Sequence, residues 1–295
     1  IESLDILKGL IMILMALDHV RDYFHYDAFF FDPTSPEQTN LAQYFTRWIT
    51  HYCAPGFSFL AGVSAYLVGR KMSKGDLTVF LLKRGLWLVF VELIIVNFSW
   101  YFDVHFGTVG LLVIWSLGVS MILLAGLIHL PLKYILVVSV IIVFGHNLLD
   151  GLNIEKGILW SVIHEFGFYS LSDGRILVVG YPIIPWVGVM SLGYYFGSFY
   201  NADMEPRRRQ RFFKILGVMS IVAFIAVRLI NGYGNFIPWV NYDTVLKPAY
   251  AFLNPAKYPP SLTYLLMTLG PIFLVLAYTE SFKGKIAQFI IVFGK

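Results

Sequence analysis

The sequence holds a single cysteine, Cys53, among 295 residues, which excludes an intrachain disulfide and a multi-cysteine metal cluster. Cys53 reads as a small packing residue rather than a nucleophile. Charge is also scarce, at 14% of residues, and no soluble catalytic domain is visible in so depleted a chain. There is no phosphate-binding Gly-Lys-Ser/Thr loop, no GxGxxG following a strand and no HExxH helix, so ATP hydrolysis, dinucleotide redox chemistry and zincin-type hydrolysis lack support. The histidines match no standard ligand spacing, and no metal is expected. Internal repeats and low-complexity linkers are missing as well, which makes one integral domain over residues 1–295 the economical reading.

What the chain does have is apolar residues. Hydrophobic side chains make up 58% of it and aromatic ones 17%, with a mean hydropathy of +0.70, the composition of a polytopic membrane protein. A spanning helix needs about 20 largely apolar residues. Eight stretches qualify, at about 6–25, 45–69, 78–100, 108–129, 133–149, 176–200, 212–231 and 261–281. A ninth begins near Ile286 and is cut off by the last residue. The expected fold is therefore all-α, a transmembrane helical bundle of eight to nine spans. Ile1 in place of Met and the cut-off final stretch lead us to expect a portion of a longer chain with further C-terminal spans.

The basic residues set an expected orientation. Arg70, Lys71, Lys74, Lys133, Arg207, Arg208, Arg209, Arg211, Lys283 and Lys285 all fall in loops on one side of this span count, which the positive-inside rule makes cytoplasmic. The N-terminus is then inside. The opposite loops carry Asp27, Asp32, Glu37, Asp103, His105, His164, Glu165 and Asp243. In such a chain the net charge of +4 reports orientation, and no nucleic-acid binding is inferred.

One feature breaks the apolar pattern. Asp18 and His19 interrupt the first span, with Arg21, Asp22 and His25 following at helical spacing. A charged side chain at the centre of a membrane helix costs about 2.5 to 3.5 kcal/mol, so such groups persist where they face a polar cavity or one another. Lys8 and His19 are eleven residues apart, almost three helical turns and about 16 Å of rise, which puts them on one face. A cation at the inner end and an imidazole deeper in would suit a long substrate with a charged head, such as acyl-coenzyme A. Asp22 lies three residues from both His19 and His25 and is placed to orient either imidazole, and histidine is the natural general base near neutral pH. The same residues also fit an interhelical salt-bridge network that holds a bundle together. On the residues alone both readings stand.

Lys8-x10-His19, preceded by Leu4-Asp5-Ile6-Leu7 and followed by the basic pair Lys83-Arg84, resembles the Arg-x10-His signature of the membrane acyltransferase superfamily. Closer still, the segments Ser3 to Leu10, Asp18 to Asp27, Phe45 to His51, Tyr181 to Met190 and Lys257 to Leu262 resemble bacterial relatives of the heparan-alpha-glucosaminide N-acetyltransferase catalytic domain. The resemblance implies transfer of an acetyl or other acyl group from acetyl-CoA or another acyl-CoA to a sugar or glycolipid acceptor, at the bacterial inner membrane. In that reading His19 or His25 is the base, oriented by Asp18 or Asp22, while Lys8, Lys83 and Arg84 attract the coenzyme phosphates. Two departures stand out. Lys8 replaces the signature arginine, keeping the charge but losing its bidentate fork. The heparan enzyme has Asn at the position of His19, with its histidine further on, so the choice between His19 and His25 stays open.

Other polar residues have weaker claims. Arg47 and His51 share one face near the outer end of the second span, where they suit substrate binding. Glu92 in the third span reads either as a site residue or as a partner for Arg47 or Arg228. Lys257 opens the last span as a pocket wall by resemblance. His146 and Asn147, near Asp150, and Arg228 read as structural, and the tryptophans mostly as an interfacial belt. The alternative function is a transporter or flippase with a buried Asp/His/Arg relay. Oligomeric state stays open.

Overall fold

A computed structural model describes residues 1–26, 30–152, 157–243 and 246–295. Asp27, one of the expected outward residues, lies outside them. The chain is 69% helical. Its α-helices are α1 (Glu2–Phe24), α2 (Leu41–Ile49), α3 (Cys53–Gly69), α4 (Lys74–Phe90), α5 (Asn97–Tyr101), α6 (Val113–Leu127), α7 (Leu132–Gly145), α8 (Ile158–Ile163), α9 (Ile183–Gly197), α10 (Pro206–Ile230), α11 (Lys247–Phe252), α12 (Leu262–Thr279) and α13 (Lys285–Gly294).

The all-α expectation needs one correction. Residues placed at the start of two expected spans are strands: β1 (Thr108–Leu111) and β3 (Ile176–Val179) pair in parallel, and β2 (Gly167–Ser170) pairs antiparallel with β3, giving the order β1-β3-β2. Short apolar runs such as Ile176-Leu177-Val178-Val179 read equally as strand or helix when they abut an apolar helix. The Asp103 carboxylate accepts from the backbone N–H groups of His105 (2.8 Å) and Gly107 (2.7 Å) in the turn that enters β1. Those bonds hold its carboxyl below the usual carboxylate range.

Among the described residues, four helical stretches are long and apolar enough to cross a membrane: Leu41–Gly69, Leu132–Leu149, Pro206–Ile230 and Leu262–Thr279. The remaining expected spans fall short for identifiable reasons. Helix α1 has the length, 23 residues, but carries too many charges. Helices α6 and α9 lose their first turns to the sheet and are 15 residues each. Helix α4 has 17 residues and continues through a π-helical stretch, Val91–Val96, into α5.

The chain divides into two compact units, one of Ile1–Phe57, Ala202–Lys257 and Ser261–Lys295, the other of Ser58–Asn201 and Tyr258–Pro260. In the first, α10 packs along α12 and α1 against α13 and α12. Gly9 of α1 meets the backbone of Ile290, and Gly294 of α13 meets that of Asp5, so closely that neither position has room for a Cβ. Arg209, assigned above to a basic loop, is instead buried and paired with Glu280, which also accepts from the Ser3 hydroxyl at 3.2 Å.

In the second unit α4 packs on α6, and α9 on α6 and α7. Leu77, Leu81, Leu124, Ile135 and Met190 form its core. Trp115 and Trp186 belong to buried structure and not to an interfacial belt. Helices α4 and α6 touch through a reciprocal glycine pair: a Cβ on Gly85 would lie 2.6 Å from the Gly118 carbonyl oxygen, and one on Gly118 would lie 2.7 Å from that of Gly85. Small residues let membrane helices approach this closely, and dispersion between backbones holds them there. Gly118→Val forces the pair apart, an overpacking change expected to cost about 1 to 3 kcal/mol. A lowered thermal midpoint in detergent, with Gly126→Val unaffected by crowding because its Cβ would meet nothing within 4 Å, is the expected pattern.

Candidate functional site

Helix α1 runs unbroken from Glu2 to Phe24, so Lys8 and His19 do lie on one continuous helix. Its first turns bury Leu4, Ile6, Leu7 and Ile11, which fixes how the later turns face α2 and the 3-10 turn Thr50–Tyr52. Helix α2 starts where the Asn40 side chain accepts the Gln43 N–H at 3.0 Å, a standard N-cap. Arg47 and Thr50 are thereby carried to Asp18.

Asp18 is the hub of the site. Its Oδ1 accepts from the guanidinium of Arg21 one turn on, from Arg47 Nη1 at 3.0 Å and from the Thr50 hydroxyl at 2.8 Å. The same Nη2 of Arg21 donates to Asp22 Oδ1 at 2.7 Å. Asp18 is largely shielded, with 17% of its side chain exposed against 10% for Arg21 and 16% for Arg47. Lys257 stands within electrostatic reach of both Asp18 and His51. Among the described residues, two carboxylates thus face three cations.

Arg21 is only partly satisfied. Its Nε and Nη1 are buried without a hydrogen-bond partner among the described residues. His51, in the 3-10 turn, is 3% exposed, and its Nδ1 is likewise shielded and unpartnered. The His51 backbone carbonyl accepts from the Tyr264 hydroxyl at 2.8 Å, and the two rings meet edge-on at 5.6 Å. Tyr264 is held in turn by Ser261, whose Oγ caps α12 by accepting from the Tyr264 N–H at 3.2 Å. A buried guanidinium edge with free donors favours an anionic or anion-forming group.

The expected site residues divide accordingly. Asp18, Asp22, Arg47, His51 and Lys257 come together. His19 is half-buried and His25 exposed at the end of α1, where its N–H closes the helix on the Arg21 carbonyl at 3.0 Å. Asp18 and Asp22 commit their Oδ1 atoms to arginines and Thr50, so the part of the reading that saw a salt-bridge network has a physical counterpart: Arg47 ties α2 to α1. Lys8 is half-buried near the other end of α1. Lys83 and Arg84 are exposed on α4, in the second unit.

Glu92, in the same unit, has a structural task that the sequence did not suggest. It is fully buried, and its Oε2 accepts the Trp115 N–H at 3.0 Å. Leu112, the N-cap residue of α6, makes no side-chain cap, so Glu92 supplies one from the π-helical stretch and places a carboxylate at the helix's positive end. Arg228, one of its suggested partners, donates instead to the carbonyls of Phe252, Ala251 and Asn254 at 2.9, 2.8 and 3.2 Å. Sequence reasoning missed Thr50 and Tyr264 altogether. Thr50 follows Arg47 by three residues and so shares its face, the one signal that pointed to it.

Residues 1–233 match the family model described as heparan-alpha-glucosaminide N-acetyltransferase, catalytic. The chain belongs to this family. No curated protein matches it. Membership in the heparan-alpha-glucosaminide N-acetyltransferase catalytic family makes the chain an acyltransferase, and its apolar helices make it an integral membrane protein. The matched region contains the whole of α1, α2 and the 3-10 turn, and with them every member of the cluster except Lys257, Ser261 and Tyr264.

The hub is testable by stability. Asp18→Ala leaves Arg21 and Arg47 shielded without their shared carboxylate, and removing one partner of a buried pair costs about 3 kcal/mol or more. The residual exposure of Asp18 places the expected loss at that lower end. Chemical unfolding of the variant in micelles should show it, and a loss under about 0.5 kcal/mol, the range of exposed pairs, would reject the hub.

Proposed function

We propose that the protein transfers an acetyl group from acetyl-CoA, or another acyl group from its coenzyme A thioester, to a sugar amine or hydroxyl on a glycan or glycolipid. The observation that carries this reading is the pair of shielded, unpartnered donors on Arg21, set among two carboxylates and three cations in a family of acetyltransferases. Attack of the acceptor nitrogen or oxygen on the thioester carbonyl forms a tetrahedral centre bearing an oxyanion. Donors fixed in advance and screened from water stabilise such a charge without reorganisation. A histidine takes the proton of the acceptor, the C–S bond breaks, and the proton goes to the departing thiolate, so the products are the acylated sugar and free coenzyme A.

His19 is the base in this reading, with His25 as the other candidate. Asp18 and Asp22 act through the arginines that they position. Arg47, His51 and Lys257 bind substrate. Lys8 in the first unit and, separately, Lys83 and Arg84 in the second attract the coenzyme phosphates from the cytoplasmic side, where the N-terminus lies, while Glu92 caps α6 within the second unit. The remaining helices, α1, α4 through α5, α6 and α9, complete a bundle of eight or nine spans forming one integral domain in a bacterial inner membrane. No metal takes part.

Full-length protein in liposomes, supplied with labelled acetyl-CoA and a glucosamine-type acceptor, is expected to release coenzyme and move the label to the sugar. His19→Ala should abolish turnover while leaving coenzyme binding largely intact, and His25→Ala should retain most of it. The opposite result assigns the base to His25. Absence of donor binding and of turnover in a well-folded preparation would replace the acyltransferase reading with that of a transporter whose buried charges line a substrate path.

A further inference from the structure

Helix α10 opens with a dense run of positive charge, Arg207, Arg208, Arg209 and Arg211, in which the acyltransferase reading has no part. The structure divides that run in two. Arg209 is buried and paired with Glu280, just past the end of α12. Arg207, Arg208 and Arg211 are exposed and form no ion pair among the described residues. Within the first unit the start of α10 lies against the end of α12: Gln210 donates to the Ser281 hydroxyl at 3.4 Å, and the Lys214 ammonium stands 4.6 Å from the centroid of the Tyr278 ring. Lys283 follows in the turn after α12 and is exposed.

What continues from these cations decides what they meet. Positions 208, 211, 212 and 215 share one face of α10 by helical spacing. Phe213, Gly217, Ser220 and Phe224 are buried on the other side, whereas Ile215, Met219, Val222 and Leu229, further along the first face, are 50% to 63% exposed. Because α10 is long and apolar enough to cross a membrane, an apolar face that the protein leaves uncovered meets acyl chains. Arg208 and Arg211 therefore stand at the end of a lipid-facing stripe, at the level of the headgroups. Residues 202–214 and 278–283 hold five cations outside the Arg209 pair, namely Arg207, Arg208, Arg211, Lys214 and Lys283, against two carboxylates, Asp203 and Glu205. Basic residues next to a span attract anionic headgroups over about a Debye length, and the arginine fork fits a phosphate. Tyr278, 63% exposed beside Lys214, is the kind of ring that settles at this boundary.

We propose that the exposed cations at the start of α10, with Lys214 and Lys283 beside them, bind the headgroup phosphate of an anionic phospholipid. Arg208 and Arg211 hold the phosphate, and the acyl chains lie along the apolar face that begins with Phe212 and Ile215. A charge that served orientation alone could sit anywhere in the preceding loop. These arginines are carried on the lipid-facing side of the helix itself, which favours a lipid over a free phosphate, since the apolar stripe offers the latter nothing. The Arg209–Glu280 pair fixes the height of the arginines against α12. None of the residues of the Asp18 cluster takes part.

The test is titration of the full chain, in micelles of an uncharged detergent, with phosphatidylglycerol, with phosphatidylcholine of the same acyl chains and with glycerol phosphate, the adducts being counted by native mass spectrometry. In micelles the chain has no orientation to reverse, so altered topology cannot imitate lost binding. Saturable binding of phosphatidylglycerol about tenfold or more tighter than of phosphatidylcholine is expected, with none of glycerol phosphate. Each cation beside an anionic headgroup is worth about fivefold, so the double variant Arg208→Gln, Arg211→Gln should weaken phosphatidylglycerol binding by more than about tenfold and leave phosphatidylcholine unchanged. Arg208→Lys with Arg211→Lys should keep most of the affinity. Lys71→Gln with Lys74→Gln, an equal loss of exposed charge in the second unit, should keep all of it. Equal binding of the two lipids, wild-type affinity in the double Gln variant, or an equal loss in the Lys71 and Lys74 variant overturns the proposal. Glycerol phosphate binding as tightly as the lipid overturns it too, in favour of a soluble phosphate. No acyl donor is present, so failure here leaves the Asp18 reading standing, and the converse.

Discussion

A carboxylate shielded from solvent must be satisfied by the protein, because burial withdraws the water that would otherwise solvate it. Asp18 is that carboxylate, and the arrangement of the first unit around the site follows from it. Three donors converge on one oxygen, and two of them, Arg47 and Thr50, come from a different part of the chain. Meeting that requirement draws α2 and the 3-10 turn against α1. It also brings His51 and its Tyr264 partner into place, since both depend on the same turn. The result is a cluster with more cationic than anionic groups and with donors to spare, which is a poor way to make a static tie and a good way to meet an incoming negative charge.

The second unit solves a related problem differently. Its helices approach through glycines, as Gly85 and Gly118 show, and its buried carboxylates are answered by backbone N–H groups and amides instead of arginines. Glu92 caps α6 across the chain, and Asp150 is held by Asn147 and His164. The π-helical stretch that carries Glu92 also places Asn97, whose side chain donates to the Gly110 carbonyl at 3.0 Å and accepts from the Gly110 N–H. One irregular turn therefore ties both α6 and β1, in keeping with the use of π-bulges where a helix must present side chains off its regular register.

Much of the fold was legible because helices in lipid leave a strong compositional trace. The long apolar runs and the interruption at Asp18 are visible without any structure, and the ordered segments from Ser3 to Leu262 were enough to indicate the family. The sheet was not legible. Thr108–Leu111 and Ile176–Val179 are four residues each, too short for a period to declare itself, and their pairing joins positions far apart in sequence. The cap of α6 by Glu92 and the burial of Arg209 on Glu280 were hidden for the same reason.

By itself, the sequence determined that the chain is a helical membrane protein of this acetyltransferase family with costly charges in its first helix, since composition and local spacing act on each residue alone. The tertiary structure decided which of those charges meet. It joined Asp18 to Arg47 and Thr50 and left Arg21 with unused donors. It also turned Glu92 into a cap and drew Arg209 inward onto Glu280. The physical reason is range: periodicity is set by neighbours three or four residues away, whereas hydrogen-bond partners for a buried charge are found wherever packing delivers them.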